Sequence, residues 1–328
     1  MRTVVIQTFR ERNVPQWLER AMQSVRSWAM HWGYEYQFRG DEIFDLCGDA
    51  YLRAVGDNKR SITNLARLEW INRCIAEGYE RVIWLDADTF IFDPEHLDLE
   101  IESGYAAGRE VWIEMEHGRP RVETCGAHNA ALVVVGRQPD IDWMIATIRY
   151  IAGSRPLQNS FQVGVKLLTG LHAGLRFPVL PQVGILSPAT ITALATERHG
   201  LLRMFAQESG YPLRAANLCW SQTAGGDASE IERAMDLLEA TRGMAINRFL
   251  DPAQPAPLTL ADYRASARPM PALAWWWMDA YEQTSENLKI MGRSAAWWYA
   301  KLGDELTRRI PARLKVNQPE PATLQGLQ

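Results

Sequence analysis

The chain has 328 residues, 47% of them hydrophobic and 23% charged, which gives it length for one large α/β domain with additions and excludes a globally disordered polymer. A formal net charge of -4 argues against nucleic acid as the main partner. Cys47, Cys74, Cys125 and Cys219 lie far apart with no paired spacing, so neither a zinc site nor a disulfide framework is implied, and a reducing compartment is the simpler expectation.

The opening Met1-Arg-Thr-Val-Val-Ile turns polar at Gln7, too short for the apolar part of a signal peptide, and no apolar run reaches membrane-spanning length. A cytoplasmic protein is expected, at most peripheral to the inner membrane face. Residues 3–6 read as a strand. From Pro15 the apolar positions Trp17, Leu18, Ala21, Met22, Val25, Trp28, Ala29 and Trp32 recur at helical spacing until Gly33. Residues 34–38 alternate as a second strand. This βαβ opening predicts a doubly wound sheet whose first strand-to-helix loop, residues 7–13, is the usual seat of a nucleotide base or ribose; Thr8 and Phe9 are the candidates there.

Residues 40–59 are polar and turn-rich. A helix is predicted over 61–77, with Ser61 as its cap, Gly78 as its terminator, and Ile62, Leu65, Leu68, Ile71 and Ile75 on one side. Lys59, Arg60, Asn64 and Arg67 share the other side, either as cations for phosphate oxygens or as a plainly solvated basic face.

The centre of the chain is Arg81-Val-Ile-Trp-Leu-Asp86-Ala-Asp88-Thr-Phe-Ile-Phe-Asp93-Pro94, an apolar run driven into two carboxylates and followed by a second apolar run stopped at Asp-Pro. It reads as a buried strand with acids at its carboxyl end, where α/β sheets bind ligands. Two carboxylates this close repel unless a cation lies beside them, and hard oxygen ligands suit Mg²⁺ or Mn²⁺. Three readings stand: the DxD of metal-dependent glycosyltransferases, the DxDxT of haloacid-dehalogenase-type phosphatases with Asp86 as nucleophile, and a plain pair of surface acids.

Past Pro94, strands are expected at 111–115 and 129–135, helices at 141–152 and 161–168, an extended piece at 177–181, a helix from Pro188, and a last apolar strand at 213–220. Helical patterns follow at 229–241 and 271–309, joined through a Pro/Ala-rich link at 251–257.

In this order the pieces resemble the GT-A-fold, DxD-containing retaining glycosyltransferases: the fungal galactosyl/mannosyltransferase and plant xylosyltransferase group, and more distantly the glycogenin-like families. The residues that carry it are Trp28-Ala and Gly33-Tyr-Glu-Tyr, Arg67, Trp84-Leu-Asp86-Ala-Asp88-Thr, His128-Asn129-Ala-Ala, Phe161-Gln162 and Leu180-Pro-Gln182. The resemblance, which covers roughly residues 1–220, implies an α/β fold, a GT-A (Rossmann-like) mixed sheet flanked by helices in a domain at 1–225; the pattern beyond it reads as a helical Trp-rich extension at 226–316 and a disordered tail at 317–328. The resemblance further implies a UDP- or GDP-linked sugar donor and a glycan or lipid-linked acceptor.

Carried over by residue, Asp86, Asp88 and Gln162 form the catalytic set. Arg67, Asp86 and Asn129 bind the donor, joined by Thr8, Phe9 and Lys59 from the loop and helix readings above, and Asp86 and Asp88 hold Mn²⁺ or Mg²⁺. The chain departs from those families where they place a late metal-binding His: here stands Ala216-Asn217-Leu-Cys219. Asn217 becomes the third ligand through its amide oxygen, with His172 and His199 as alternatives. That departure keeps a catalytically inactive binding or scaffold protein open as a second reading. The phosphatase reading is weaker, because Gly226-Asp227 follows a polar stretch instead of a strand, and Asp86 lies deep in the chain. No acid after Asn129 sits in an inverting-type motif, which favours retention at the anomeric carbon.

Thirteen tryptophans are the compositional oddity, with Trp275-Trp-Trp-Met278 and Trp297-Trp-Tyr299 lying ahead of Arg308, Arg309, Arg313 and Lys315. Such clusters suit a peripheral membrane contact or sugar stacking. The plainer expectation is packing against the catalytic domain or a second copy of the chain.

Overall fold

The computed structural model describes residues 1–154, 156, 157, 159–175, 177–219 and 227–251. Strand β1 (Thr3–Thr8) runs parallel to both β2 (Glu35–Arg39) and β3 (Arg81–Leu85) and lies between them. It extends two residues beyond the expected strand, because the register opposite β2 continues through Gln7 with Phe38 and Thr8 with Arg39. Helix α1 (Gln16–His31) joins β1 to β2 and buries Trp17, Leu18, Ala21, Val25, Trp28 and Ala29, six of the eight apolar positions that its spacing predicted; Met22 and Trp32 are only partly buried.

The turn-rich stretch 40–59 is instead largely helical: a 3₁₀ turn, Asp41–Cys47, leads into α2 (Asp49–Val55). Ile43, Cys47 and Tyr51 recur every fourth residue and are buried, and the Tyr51 hydroxyl donates to the Ser61 carbonyl of α3 (Lys59–Ala76). A sparse apolar stripe therefore outweighs the polar composition between its members. Helix α3 starts two residues early because Asn58, not Ser61, caps it, accepting the Ser61 amide N–H at 3.1 Å.

Strands β5 (Gly104–Glu116) and β6 (Arg119–Val135) form a hairpin much longer than the strands expected at 111–115 and 129–135, turning at His117 and Gly118, both with positive φ. Helix α4 (Pro139–Ser154) follows as expected. The helix expected at 161–168 is split into a 3₁₀ turn, Ser160–Val163, and α5 (Val165–Leu175). The break falls at Gly164, where a Cβ would lie 2.5 Å from Asn64 Nδ2, so α3 presses directly on the backbone there.

The chain continues through β7 (Val179–Leu180), β8 (Val183–Ile185), α6 (Pro188–Ala195, capped by Ser187) and α7 (His199–Ser209). It then enters β9 (Ala215–Asn217), α8 (Ala228–Ala240) and α9 (Met244–Asn247). Of the described residues in the apolar strand expected at 213–220, only the three of β9 take part in a sheet.

The strands form two sheets. The larger has the order β2-β1-β3-β6-β5-β7, with β6 antiparallel to both neighbours. The smaller joins β4 (Thr89–Ile91), β9 and β8 in that order, with β4 antiparallel to β9 and β8 parallel to it. The fold is thus α/β with a mixed sheet flanked by helices. Trp28, Trp70 and Trp84 are fully buried; at ~25 cal/mol per Å² over ~150 Å² each contributes on the order of 4 kcal/mol.

Helix α8 contributes Ile231, Ala234, Met235 and Leu238 to the same core cluster as Trp17 and Leu18 of α1, and Arg20 pairs with Asp236 at 2.6 Å. This part of the expected extension is therefore core, and the described residues all fall within one compact unit, Met1–Ala267. The Trp-rich clusters and the expected tail lie outside the described residues. Among the described residues no helix is long and apolar enough to cross a membrane.

Candidate active site

Parallel strands β1 and β3 end at the same sheet edge, with Ile6 opposite Trp84, so Gln7 to Phe9 stand level with the start of the acidic turn. The chain leaves β3 at Asp86 and turns tightly, the Asp86 carbonyl accepting the Thr89 N–H at 2.9 Å, before entering β4 of the other sheet. Asp86 and Asp88 therefore stand on a turn between two sheets.

Asp86 is held on every side. Its amide N–H donates to the Ala130 carbonyl at 2.7 Å, and its carbonyl also accepts Gln7 Nε2 at 3.2 Å. Gln7 is itself fully buried and accepts the Tyr36 hydroxyl at 2.9 Å. Asp86 follows the end of β3 two residues after Trp84 and so projects to the same side, and the indole N–H donates to Asp86 Oδ1 at 2.6 Å. Arg67 Nη2 reaches the same oxygen at 3.1 Å, its guanidinium 4.9 Å from the centre of the Trp84 ring. The Arg67 side chain is 5% exposed and that of Asp86 27%. Burial lowers the Arg67 pKa, while Asp86 and Asp88 work in the other direction and favour the charged form.

Asp88 faces the smaller sheet. Its carbonyl accepts the Leu218 N–H at 2.8 Å, and its Oδ1 accepts the side-chain amide of Asn217. Asn217 is 3% exposed, and its amide oxygen accepts the Cys219 N–H at 2.8 Å, which fixes the orientation of the group: N–H towards Asp88, oxygen away. Cys219 adopts a φ of 50° to make that turn.

The remaining candidates spread over two distances from this turn. Arg67 also donates to the Asn129 carbonyl, and Asn129 Nδ2 donates to Asn64 Oδ1 at 3.0 Å. Asn64 in turn donates to the Ser160 carbonyl at 3.2 Å, docking onto α3 the 3₁₀ turn that contains buried Gln162. Arg67, Asn129 and the Gln162 turn are thereby brought together. Thr8 bonds the carbonyls of Arg39 and Gly40, and Phe9 packs against the core beside Val14. Lys59 lies eight residues before Arg67, about 12 Å along the helix axis, and its exposed amine pairs with Asp41 at 2.6 Å. His172 packs against the Phe177 ring, and His199 accepts from Arg248 at 3.0 Å.

Residues that sequence reasoning did not single out are Gln7, Ala130 and the local shape of β6. Opposite β5, Gly108 pairs with His128 but Ala107 pairs with Leu132, so residues 129–131 bulge out of that ladder while Ala131 stays paired with Leu85 of β3. Bulges of this kind re-aim a strand beside a site. The available signals were a polar Gln7 ending an apolar run and a glycine, Gly108, inside a strand.

By donor chemistry, the carboxylate oxygens of Asp86 and Asp88 suit a divalent ion. Asp86 commits Oδ1 to Arg67 and Trp84, and two carboxylates completed by phosphate oxygens and water are an ordinary Mg²⁺ arrangement. Among the described residues no three His, Cys, Asp or Glu side chains converge on a metal position.

No family model matches the chain, and no curated protein does. Among solved structures, a glycosyltransferase involved in glycosylation of the major capsid protein of the virus PBCV-1 aligns at 12% identity over 71% of this chain and 98% of its own, with a TM-score of 0.33. A mutant Drosophila β-1,4-galactosyltransferase 7, in complex with manganese, UDP-Gal and xylobiose, aligns at 12% identity over 49% of this chain and 65% of its own, with a TM-score of 0.22.

Proposed function

We propose that this protein is a glycosyltransferase that takes a sugar from a UDP- or GDP-linked donor and passes it, with retention, to a glycan or lipid-linked acceptor. One observation carries the reading: two carboxylates at the carboxyl edge of parallel strands, with the buried guanidinium of Arg67 set against the first. Asp86 and Asp88 would hold Mn²⁺ or Mg²⁺, and such an ion, when bound, supplies Lewis-acid stabilisation to a departing diphosphate.

The chain's own residues do the rest. Arg67, itself buried, places a positive charge beside the partly exposed Asp86 carboxylate, where it counts for more than a charge at the surface. Thr8 and Phe9, at the end of β1, would meet the base or ribose. Asn129 and Gln162 would line the donor-sugar side; their elements are docked together through Asn64. Gln162 carries no charge and offers no base, which accords with retention; the stereochemistry of the product, read by NMR, tests that point.

The main test is turnover of a panel of UDP- and GDP-sugars with Mn²⁺ or Mg²⁺. Asp86→Asn and Asp88→Asn are each expected to lower kcat roughly 100-fold or more. Turnover indifferent to both substitutions overturns the reading. The orientation of Asn217, which turns N–H instead of oxygen towards Asp88, favours a second reading, a non-catalytic binding module. Nucleotide binding without turnover of any donor would select it.

A further inference from the structure

The bulge of β6 is held from behind by a histidine. His128 is 1% exposed, and each ring nitrogen has a backbone partner: Nδ1 accepts the Ala130 N–H at 3.2 Å, and Nε2 donates to the Val183 carbonyl at 3.3 Å. These partners fix one tautomer, protonated at Nε2 only. Burial, with a smaller push from the Arg67 charge, lowers the pKa to about 4 and keeps the ring neutral. Strand β5 makes the room. A Cβ on Gly108 would lie 2.2 Å from the His128 ring, so the imidazole occupies the volume that any other residue at 108 would need.

The two backbone groups that His128 joins lead to different halves of the site. Ala130, whose N–H the ring accepts, has its carbonyl on the Asp86 N–H. Val183, to which the ring donates, opens β8, which pairs with β9; at the end of β9, Asn217 and Leu218 hold Asp88. One side chain therefore spans from the anchor of the first carboxylate to the sheet that carries the second.

We infer that His128 is a positioning residue: by tying the β6 bulge to β8, it sets the spacing between the Asp86 and Asp88 carboxylates. The inference rests on the function proposed above only in taking that pair as the ligand-binding centre.

Amide hydrogen exchange on the full chain tests the tie directly, comparing wild type with His128→Leu and His128→Asn. In His128→Leu the amides of Ala130, Asp86 and Leu218 are expected to exchange roughly 10-fold faster or more, while that of Ile6 in the β1 ladder is unchanged. The Asn side chain can still accept the Ala130 N–H but cannot reach Val183. His128→Asn should therefore restore protection at Asp86 and leave Leu218 loosened, and it carries the test if His128→Leu does not fold. Leu218 protection equal to wild type in both variants overturns the inference.

Mn²⁺ uptake in the presence of UDP or GDP, followed by electron paramagnetic resonance, then reads the spacing itself. A roughly 10-fold weaker affinity in both variants is expected, and unchanged affinity with loosened amides overturns the positioning role. A wild-type chain that takes up no Mn²⁺ with either nucleotide counts against the proposed function, whereas the tie is decided by exchange alone.

Discussion

Asp86 and Asp88 are separated by a single residue, yet their surroundings belong to different sheets. Asp86 is bound into the larger sheet by backbone and side-chain contacts and has a buried cation and an indole N–H on one oxygen. Asp88 is held by the smaller sheet through the neutral donors of Asn217 and Leu218. The difference teaches that a two-carboxylate motif is a tertiary object: each acid takes its partners from a different sheet, although a single residue lies between them.

The comparison breaks first at Arg67. Replacing it with Leu leaves Asp86 without its charge partner and Trp84 without its cation, and is expected to cost about 3 kcal/mol in chemical denaturation. A loss below ~1 kcal/mol would mean that the two acids are not distinguished by charge at all.

The pH dependence of stability sharpens it next. The folded-state pKa of His128 is lowered, so its neutral form contributes stability that is fully present above the ordinary histidine value of 6.5 and is lost as pH falls towards about 4. The size is at most about 3 kcal/mol. Thermal unfolding should show a falling Tm across that window, with a shallower fall in His128→Asn; identical slopes would contradict a buried neutral ring.

The smallest effects are expected on the Asp88 side and at the surface. Asn217→Ala removes the hydrogen bond to Asp88 and the one from the Cys219 N–H and should cost about 2 kcal/mol, less than the loss at Arg67. Lys59→Ala, which removes an exposed pair with Asp41, should stay within about 0.5 kcal/mol. An Asn217 effect as large as that of Arg67 would make the two halves equivalent.

Much of the Asp86 half is legible in the order of residues alone. The apolar run 82–85, the one-sided helix α1 and the βαβ order all follow from local periodicity, and they place a carboxylate at a sheet edge. Arg67 is harder to read, since by helical spacing it shares a side with exposed Lys59 and Arg60; it is buried because Asp86, the Asn129 carbonyl and Trp84 meet it from distant parts of the chain.

The Asp88 half is scarcely legible. β4 and β9 are three residues each, too short for a periodic signal, and they pair Thr89 with Asn217 across most of the domain. The direction in which Asn217 points depends on the left-handed turn at Cys219, which no composition rule foretells at a cysteine. The helical 41–55 segment is obscured by its polar majority, and the cap of α3 by the neighbouring Asn58 and Ser61, either of which has suitable chemistry.

The placing of β9 so late in the chain has a temporal side. Gln7, Arg67, Trp84 and Ala130 all precede residue 136, whereas Asn217 and Leu218 come some 80 residues later. A nascent chain halted between those points carries the anchors of one acid and lacks these two holders of the other. Synthesis from the amino end thus delivers the parts of the centre in two instalments, and the second acid waits on the later one.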